Sequence, residues 1–277
     1  MIARIASLGR RDFAEGFLRT NTPVILTQQM DDWAARRWTP QTLKERLAAI
    51  VLGVQAGNME QEATRLGEVE LHAYLDEISC PSGPTAEKKK YAAQIDLLAN
   101  FPELAKDLRF AEIFPKGRLL YPFGWIGPAG AVTGLHKDDA NNLLAQLYGR
   151  KKVLLYSPRN APFVYQSHKY DYGARLSYVD AEAPNYDRYP LFRHAQAEEV
   201  LLEPGELLFI PIGWWHQVRS LEPSISMSCF AQSYSEYFRT IPESVRWYLH
   251  KLRLLGWREG CTCHSAAESP STVGAKL

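Results

Sequence analysis

Cysteine is scarce in this chain, which has four scattered among its 277 residues. That count does not build the disulfide scaffold of a small secreted domain. Apolar runs of about 20 residues, the length that a membrane-spanning helix needs, are also absent. The N-terminal segment Met1–Asp12 carries charges without the apolar core of a secretory signal. We therefore expect a cytoplasmic protein with no membrane association.

An excess of charge of either sign is also missing. Lys and Arg total 32, Asp and Glu total 31, and the formal net charge is +1. This balance argues against an electrostatic nucleic-acid binder, although it leaves a local basic patch open. Hydrophobic residues make up 46% of the chain and aromatic residues 12%, which excludes a disordered protein.

Two parts of the sequence differ in their predicted secondary structure. Residues 1–116 mix short strands with amphipathic helices, which we predict at Thr39–Ala49 and Glu70–Ser79. Residues 117–235 contain short strands separated by glycine and proline turns, and this pattern favours a sandwich or barrel over a doubly wound sheet. We expect a mainly β fold with flanking helices, in which an α/β extension (1–116) packs on a barrel core (117–235) within one structural domain.

An aromatic, proline-rich insertion at 158–196 interrupts the predicted barrel. Insertions of that length are usually functional lids or binding surfaces. After the barrel, segment 236–260 contains a predicted helix, Ile241–Trp257, with Pro242 in its first turn. We expect its apolar stripe to pack against a second subunit in a homodimer, or against the N-terminal helices of the same chain.

The last segment, 261–277, is small and polar, and we expect a mobile tail. It contains Cys261, Cys263 and His264. Three donors within four residues cannot surround one tetrahedral ion unaided. A zinc site is therefore not expected there.

A candidate metal site comes from two separated motifs. In Thr133-Gly-Leu-His136-Lys-Asp138 the histidine and aspartate are two residues apart, so on a strand their side chains share a face. Farther along, a buried strand leads through a Pro-Ile-Gly turn and two tryptophans to His216. Two imidazoles and one carboxylate form the facial triad that holds non-haem Fe(II) and leaves coordination positions open. We therefore predict that His136, Asp138 and His216 share a metal.

Three stretches, in order, resemble one known family. They are Phe123–Asp138, Asp139–Lys151 and Pro204–His216. The resemblance is to the jumonji-C, or cupin-like, Fe(II)- and 2-oxoglutarate-dependent oxygenases, and is nearest to the branch with the hypoxia-inducible-factor asparaginyl hydroxylase and the jumonji-C-only protein hydroxylases. It implies a double-stranded β-helix (jelly-roll) barrel, with Fe(II) at the predicted triad, 2-oxoglutarate as co-substrate and O2 as oxidant.

The resemblance also implies a pocket for 2-oxoglutarate. The distal 5-carboxylate must be paired inside the barrel, because an unpaired buried charge costs several kcal/mol. Lys151 matches the family lysine that pairs with it, while strand alternation places Arg150 and Lys152 on the opposite face. By the same resemblance, Thr133 and Tyr91 hydrogen-bond this carboxylate, and Asn142 lies near the 1-carboxylate.

Two residues of this pocket are less well defined by the sequence. Cys229 is expected near the position where relatives carry a polar residue beside the co-substrate, and a thiol is a poor hydrogen-bond partner there. Trp125 fits either the wall of a substrate channel or the hydrophobic core. The arrangement of this part of the pocket is left open.

The function expected from the resemblance is hydroxylation of a protein or peptide side chain, with release of succinate and CO2. A tRNA nucleoside or a small metabolite is an alternative substrate, and demethylation is the same oxidation followed by loss of formaldehyde. A metal cupin that does not use 2-oxoglutarate is a further alternative. Lys151 argues against that alternative, because such a site has no need of a buried cation.

Overall fold

Two β-sheets form the body of the molecule. The computed structural model describes residues 1–56, 65–80, 90–168 and 174–256. Its larger sheet has nine strands and its smaller sheet has five, and short helices flank them. The mainly β, jelly-roll type of fold predicted from the sequence is confirmed.

Fourteen strands are found in these four described ranges. In chain order they are β1 (Ala3–Ile5), β2 (Val24–Leu26), β3 (Val51–Ala56), β4 (Arg65–Glu70), β5 (Lys90–Ile95), β6 (Leu119–Gly127), β7 (Val132–Asp138), β8 (Asn141–Tyr148), β9 (Lys151–Tyr156), β10 (Ala174–Leu176), β11 (Glu198–Leu202), β12 (Leu207–Ile210), β13 (Trp215–Ser220) and β14 (Ser224–Gln232). The larger sheet has the order β1-β2-β12-β8-β14-β6-β5-β3-β4, and the smaller has β10-β7-β13-β9-β11. Strands from the first 116 residues therefore join the larger sheet, and the predicted division at 116/117 stays a prediction.

The helices lie mostly before the central strands. They are α1 (Arg10–Phe13), α2 (Pro40–Arg46), α3 (Leu71–Ser79), α4 (Leu97–Asn100), α5 (Phe110–Ile113) and α6 (Tyr234–Lys251). The predicted start of α2 is confirmed, because Thr39 caps the helix through a capping box and proline occupies its first turn. For α3, the Glu70 carboxylate accepts hydrogen bonds from the first backbone N–H groups.

Three groups of buried apolar residues hold these layers together. The largest lies on the larger sheet and includes Phe13, Trp38 and Met227. A second contains Leu144, Ile210 and residues of both sheets. The third packs one face of the smaller sheet against the insertion at 158–196. Burial of this kind contributes about 25 cal/mol per Å² of apolar area, which is the main stabilising contribution to such a fold.

The insertion predicted at 158–196 has a structural role along most of its described length. Its residues Val164, Val179 and Phe192 are buried in a cluster with Leu154 and Trp215 of the smaller sheet. The same segment supplies β10, which pairs with β7 in antiparallel register. The insertion therefore covers one face of the sheet and also extends that sheet beside the candidate metal ligands.

The C-terminal helix begins earlier than predicted. We placed its start at Ile241, but α6 runs over Tyr234–Lys251 with Pro242 in its interior. Ser233 and Glu236 form a capping box, which is a stronger start signal than the proline. Proline lacks the backbone N–H that other helical residues donate to the carbonyl four residues earlier. The carbonyl that loses this hydrogen bond is that of Phe238, which is 62% exposed.

The predicted tail, 261–277, and residues 257–260 before it lie outside the described residues. This applies to Cys261, Cys263, His264 and the last residue of the predicted helix, Trp257. Within the described part of the chain, no helix is both long and apolar enough to cross a bilayer.

Candidate metal centre and adjoining pocket

The two sequence motifs meet through strand pairing. His136 and Asp138 lie on β7, and His216 lies on the neighbouring strand β13, directly opposite His136 in the register. The Asp138 carboxylate is 3.7 Å from His136 Nε2 and 3.5 Å from His216 Nε2. One ligand atom from each of the three side chains lies within 4.8 Å of the others. The predicted triad is therefore assembled as a group that could hold a metal ion.

Both histidines are held in the form that a metal requires. His136 Nδ1 lies 2.7 Å from the carbonyl of Gly134, and His216 Nδ1 lies 3.1 Å from the carbonyl of Trp214. A carbonyl oxygen only accepts hydrogen bonds, so Nδ1 carries the proton in each ring and the Nε2 lone pair is left for a ligand bond. Burial, together with the neighbouring His136, lowers the pKa of His216 well below its ordinary value, which keeps that imidazole neutral.

The donor set fits a first-row divalent metal. Two imidazole nitrogens and one carboxylate are the ligands that non-haem Fe(II) takes on one face, with the remaining positions open. All three residues are less than 10% exposed. The three side chains line a cavity of about 570 Å³, which is large enough to admit a small dicarboxylate beside them.

The cavity lies between the two sheets and contains every site residue predicted from the sequence. His136, Asp138, His216, Lys151 and Thr133 line it from the smaller sheet, whereas Tyr91 and Asn142 line it from the larger sheet. Tyr91 lies on strand β5. Thus seven residues spread over 126 positions of the chain line the same cavity.

Lys151 is the most unusual group in the cavity. It is 1% exposed, and no carboxylate in the described ranges lies within ion-pair distance of its ammonium group. Its Nζ donates to the Tyr91 hydroxyl at 3.4 Å and lies 5.8 Å from the centre of the Tyr91 ring. Burial lowers the pKa of Lys151 to about 7. The cavity therefore contains a buried amine whose charged form has no carboxylate partner among the described residues.

The neighbours of Lys151 in the sequence have different partners. Arg150 pairs with Glu222, and Lys152 lies 3.0 Å from Glu199. Both are partly exposed, and neither lines the cavity. The alternation predicted for these three cationic residues is therefore present.

Tyr91 connects the lysine to Thr133. The Tyr91 hydroxyl makes a hydrogen bond with the Thr133 side chain, and burial raises the pKa of Tyr91 well above its ordinary value. The phenol is thus protonated at neutral pH. Lys151, Tyr91 and Thr133 form a connected polar group in the cavity wall.

Two other polar atoms in the cavity wall have no hydrogen-bond partner among the described residues. They are the Asn142 side-chain oxygen and the Trp125 indole nitrogen, both fully buried. Buried polar groups are almost always hydrogen-bonded in folded proteins, so these two atoms are exceptions in the cavity wall. Trp125, for which the sequence left two interpretations open, is part of the cavity wall.

The expectation for Cys229 is wrong. Its side chain belongs to the largest hydrophobic cluster, and burial raises the pKa of its thiol to about 12. Alternation along β14 instead directs Ser228, Phe230 and Gln232 into the cavity. The sequence argument selected the correct strand and was one residue out of register, which moves a side chain to the opposite face.

Several residues of the cavity mouth were missed. Arg175 on β10 lies 3.4 Å from Asp139 and 3.2 Å from Glu243 on α6, and all three line the opening. Arg175 comes from the insertion and Glu243 from the C-terminal helix, and neither segment carries a motif that points to the cavity. The charge of the mouth could therefore be recognised only in the structure.

The geometry predicts the effect of removing the carboxylate ligand. In Asp138→Ala we expect the affinity for Mn(II), used as a redox-stable probe, to fall by more than the roughly 10- to 100-fold that loss of an outer hydrogen-bond partner costs. The matched control is Asp139→Ala, which removes the adjacent carboxylate that pairs with Arg175. Calorimetric titration that gives equal affinities for Asp138→Ala and Asp139→Ala would contradict the assignment.

Comparison with known proteins gives a consistent result. The family model "Cupin-like domain" matches residues 10–236. The chain is 30% identical over 228 residues to lysine-specific demethylase 8 of Xenopus tropicalis, covering 78% of this chain and 49% of that protein. It is 37% identical over 135 residues to tRNA wybutosine-synthesizing protein 5 of Gallus gallus, covering 49% of this chain and 41% of that protein.

A third relative extends the comparison. HSPB1-associated protein 1 of Homo sapiens is 29% identical over 247 residues, covering 80% of this chain and 50% of that protein. The chain thus spans about half the length of these curated relatives. The branch suggested by the sequence stays a prediction. The family itself is established: the chain belongs to the cupin-like jumonji-C family of Fe(II)- and 2-oxoglutarate-dependent oxygenases.

Proposed function

We propose that this protein hydroxylates a protein or peptide side chain, with Fe(II) bound by His136, Asp138 and His216. In this proposal Lys151, Thr133, Tyr91 and Asn142 hold the co-substrate. When bound, the metal and 2-oxoglutarate supply the oxidising chemistry, in which O2 is consumed, succinate and CO2 are released, and a C–H bond of the substrate gains a hydroxyl group. The protein supplies binding, orientation and a dry cavity.

One observation carries the proposal: a buried lysine, which has no carboxylate partner in the described part of the chain, shares a cavity with a His–Asp–His group. An ammonium ion in an apolar interior is costly unless it is paired. The distal carboxylate of 2-oxoglutarate provides that pairing while its other end reaches the metal. A metal cupin without this co-substrate has no use for such a cation, so Lys151 favours an oxygenase.

The remaining co-substrate contacts follow from the donors and acceptors in the cavity. Tyr91 and Thr133 have hydroxyl groups beside Lys151 and can donate to the same carboxylate. Asn142 has an amide group on β8, whose oxygen is buried without a partner, and its amide hydrogens can donate to the 1-carboxylate. These roles orient the ligand, and the apolar side chains of Leu144 and Val218 in the cavity wall exclude water around it.

A protein substrate is preferred over a tRNA nucleoside or a small metabolite. The near-zero net charge lacks the excess of cationic residues that a polyphosphate chain attracts. Among the relatives, lysine-specific demethylase 8 is named for a protein residue, whereas tRNA wybutosine-synthesizing protein 5 is named for an RNA. A cytoplasmic location stays a prediction.

The substrate proposal can be tested by mass spectrometry of host lysate. The metal- and 2-oxoglutarate-loaded protein is incubated separately with the protein and RNA fractions, with Asp138→Ala as the inactive control. We expect peptides that gain one oxygen atom, in the wild-type sample alone. A product confined to the RNA fraction would overturn the protein assignment and support a nucleoside substrate, and loss of a methyl group would indicate demethylation.

Removal of the buried cation gives a specific prediction. In Lys151→Ala, 2-oxoglutarate affinity should fall by roughly two to three and a half powers of ten, because loss of one partner of a buried pair costs about 3–5 kcal/mol. Mn(II) affinity should be retained, and Lys151→Arg should restore little, because the planar guanidinium needs more room. Anaerobic calorimetric titration measures all variants.

The matched control is Lys152→Ala, which removes a cation from the opposite face of the same strand and should leave 2-oxoglutarate affinity nearly unchanged. Equal weakening in Lys151→Ala and Lys152→Ala would indicate a diffuse electrostatic effect. Unchanged affinity in Lys151→Ala would instead favour the alternative metal cupin.

The lowered pKa of Lys151 predicts pH-dependent binding. Below pH of about 7 the lysine of the empty site is already charged, whereas above it the site must take up a proton before it pairs with a carboxylate. Affinity for 2-oxoglutarate should therefore fall by about tenfold for each pH unit above 7. Calorimetry between roughly pH 6 and pH 9, in buffers of different ionisation enthalpy, measures the proton uptake. If the slope persists in Lys151→Ala, another group is responsible.

We also propose that α6 pairs with α6 of a second copy. Its exposed apolar side chains recur at alternating spacings of four and three residues, the heptad spacing of paired helices: Tyr234, Phe238, Ile241, Val245, Tyr248 and Leu252, each 41–62% exposed. The stripe is therefore not buried by the N-terminal helices described here, which was the alternative. A large side chain has about 200 Å² of surface, and about half of it is exposed at each of the six positions. A second copy could therefore bury about 600 Å² on each helix, compared with ~800 Å² per partner in a standard interface.

The residues that flank this stripe are compatible with self-association. Only one of the six flanking heptad positions is charged, Lys251. The six are Ser235, Tyr237, Pro242, Ser244, Leu249 and Lys251. Light scattering should give a dimer for the wild type and for Arg239→Glu, an exposed control off the stripe, but a monomer for Val245→Glu. A wild-type monomer at micromolar concentration would remove the dimer.

A further inference from the structure

The ring of Tyr91 occupies space that any side chain at Gly127 would fill. Trp125 and Gly127 lie two residues apart on β6, so they share the face that contacts Tyr91 on the adjacent strand β5. A Cβ atom built on Gly127 would lie 2.5 Å from Tyr91 Cδ2 and 2.9 Å from Tyr91 Cε2. Real Cβ atoms essentially never approach a neighbour to less than 3.0 Å.

The backbone of Gly127 does not explain why glycine occurs there. The residue is absent from the set of glycines with positive φ and lies in a regular strand, where alanine meets no steric barrier of its own. The cost of a side chain therefore comes from its neighbours. The nearest of these is the Tyr91 ring, followed by Ala131 Cβ at 3.2 Å.

The Tyr91 ring cannot move aside without changing its polar contacts. It is 7% exposed, its centre lies 6.0 Å from that of Trp125, and its hydroxyl contacts Lys151 at 3.4 Å. Restoring an ordinary contact of 3.4 Å at Gly127 requires a shift of about 1 Å. Such a shift moves the hydroxyl away from its place beside Lys151 and Thr133.

We infer that Gly127 is a positioning residue for 2-oxoglutarate, which acts by leaving room for the Tyr91 ring so that the Tyr91 hydroxyl reaches the distal carboxylate. This inference rests on the proposed co-substrate site. It assigns a role in ligand binding to a residue without a side chain and with no contact to the metal group.

The test is Gly127→Ala with Gly124→Ala as the matched control. Gly124 lies on the same strand with its Cβ direction toward Leu97 Cβ at 3.4 Å and Met227 Sδ at 3.5 Å, which are ordinary contacts. Both substitutions change the strand backbone alike. We expect 2-oxoglutarate affinity, measured anaerobically on the Mn(II)-loaded protein, to fall by about tenfold or more in Gly127→Ala alone. Mn(II) affinity should stay within about threefold in both variants.

A double-mutant cycle with Tyr91→Ala separates positioning from general damage. Once the ring is absent, adding Gly127→Ala should weaken 2-oxoglutarate binding no further, so the two effects should be strongly non-additive. Full additivity would overturn the inference. If Gly127→Ala fails to fold while the double variant folds, Gly127 is a structural residue and the inference is also overturned.

The failure of this inference differs from that of the proposed function. If the wild type binds Mn(II) but no 2-oxoglutarate, the proposed co-substrate site is wrong. If the wild type binds both ligands and Gly127→Ala binds 2-oxoglutarate equally well, only the positioning role is wrong.

Discussion

The burial of the Lys151 amine in the cavity wall is the constraint on which the rest of this site depends. Its burial lowers the pKa to about 7, because taking the charged amine out of water has a free-energy cost. The surrounding residues limit that cost without cancelling it, because a phenol hydroxyl and a ring face are weaker partners than a carboxylate. The site is consequently prepared for a dicarboxylate, and its specificity for an anion is present before any ligand binds.

The second constraint is the register between β7 and β13. His136 and His216 are separated by 80 positions of the chain, yet they are direct cross-strand partners. Carbonyl groups from Gly134 and Trp214 then set both ring tautomers. A small sheet with a fixed register can thus place three ligand atoms within a few ångströms, while Lys151 on the next strand keeps the cation in the same cavity. The larger sheet supplies Tyr91 and Asn142 from the opposite side, so the packing of the two sheets determines the width of the site.

The sequence predicted those features that depend on strand periodicity. The two-residue spacing of His136 and Asp138 and the alternation around Lys151 both follow from the pleat of a strand. The distant His216 was added to them because it follows a buried strand in the same strand-rich region, and the family resemblance implies the same three ligands. Features that depend on one residue of register were less secure: Cys229 was placed at the cavity although Ser228 occupies that position. Pro242 predicts a start of α6 near Ile241, whereas the capping box at Ser233 and Glu236 begins the helix at Tyr234. Arg175 and Glu243 reach the mouth through tertiary packing alone, and local sequence patterns do not encode such contacts.

The most direct measurement is a crystal structure of the protein with Mn(II) and 2-oxoglutarate, from crystals grown under anaerobic conditions. We expect one metal ion that is bound by His136, Asp138 and His216, and we expect one end of 2-oxoglutarate to chelate this ion. We also expect the distal carboxylate to lie within ion-pair distance of Lys151 Nζ and within hydrogen-bond distance of Tyr91 and Thr133. A ligand whose distal carboxylate points away from Lys151, or a metal bound without one of the three side chains, would contradict the proposed site.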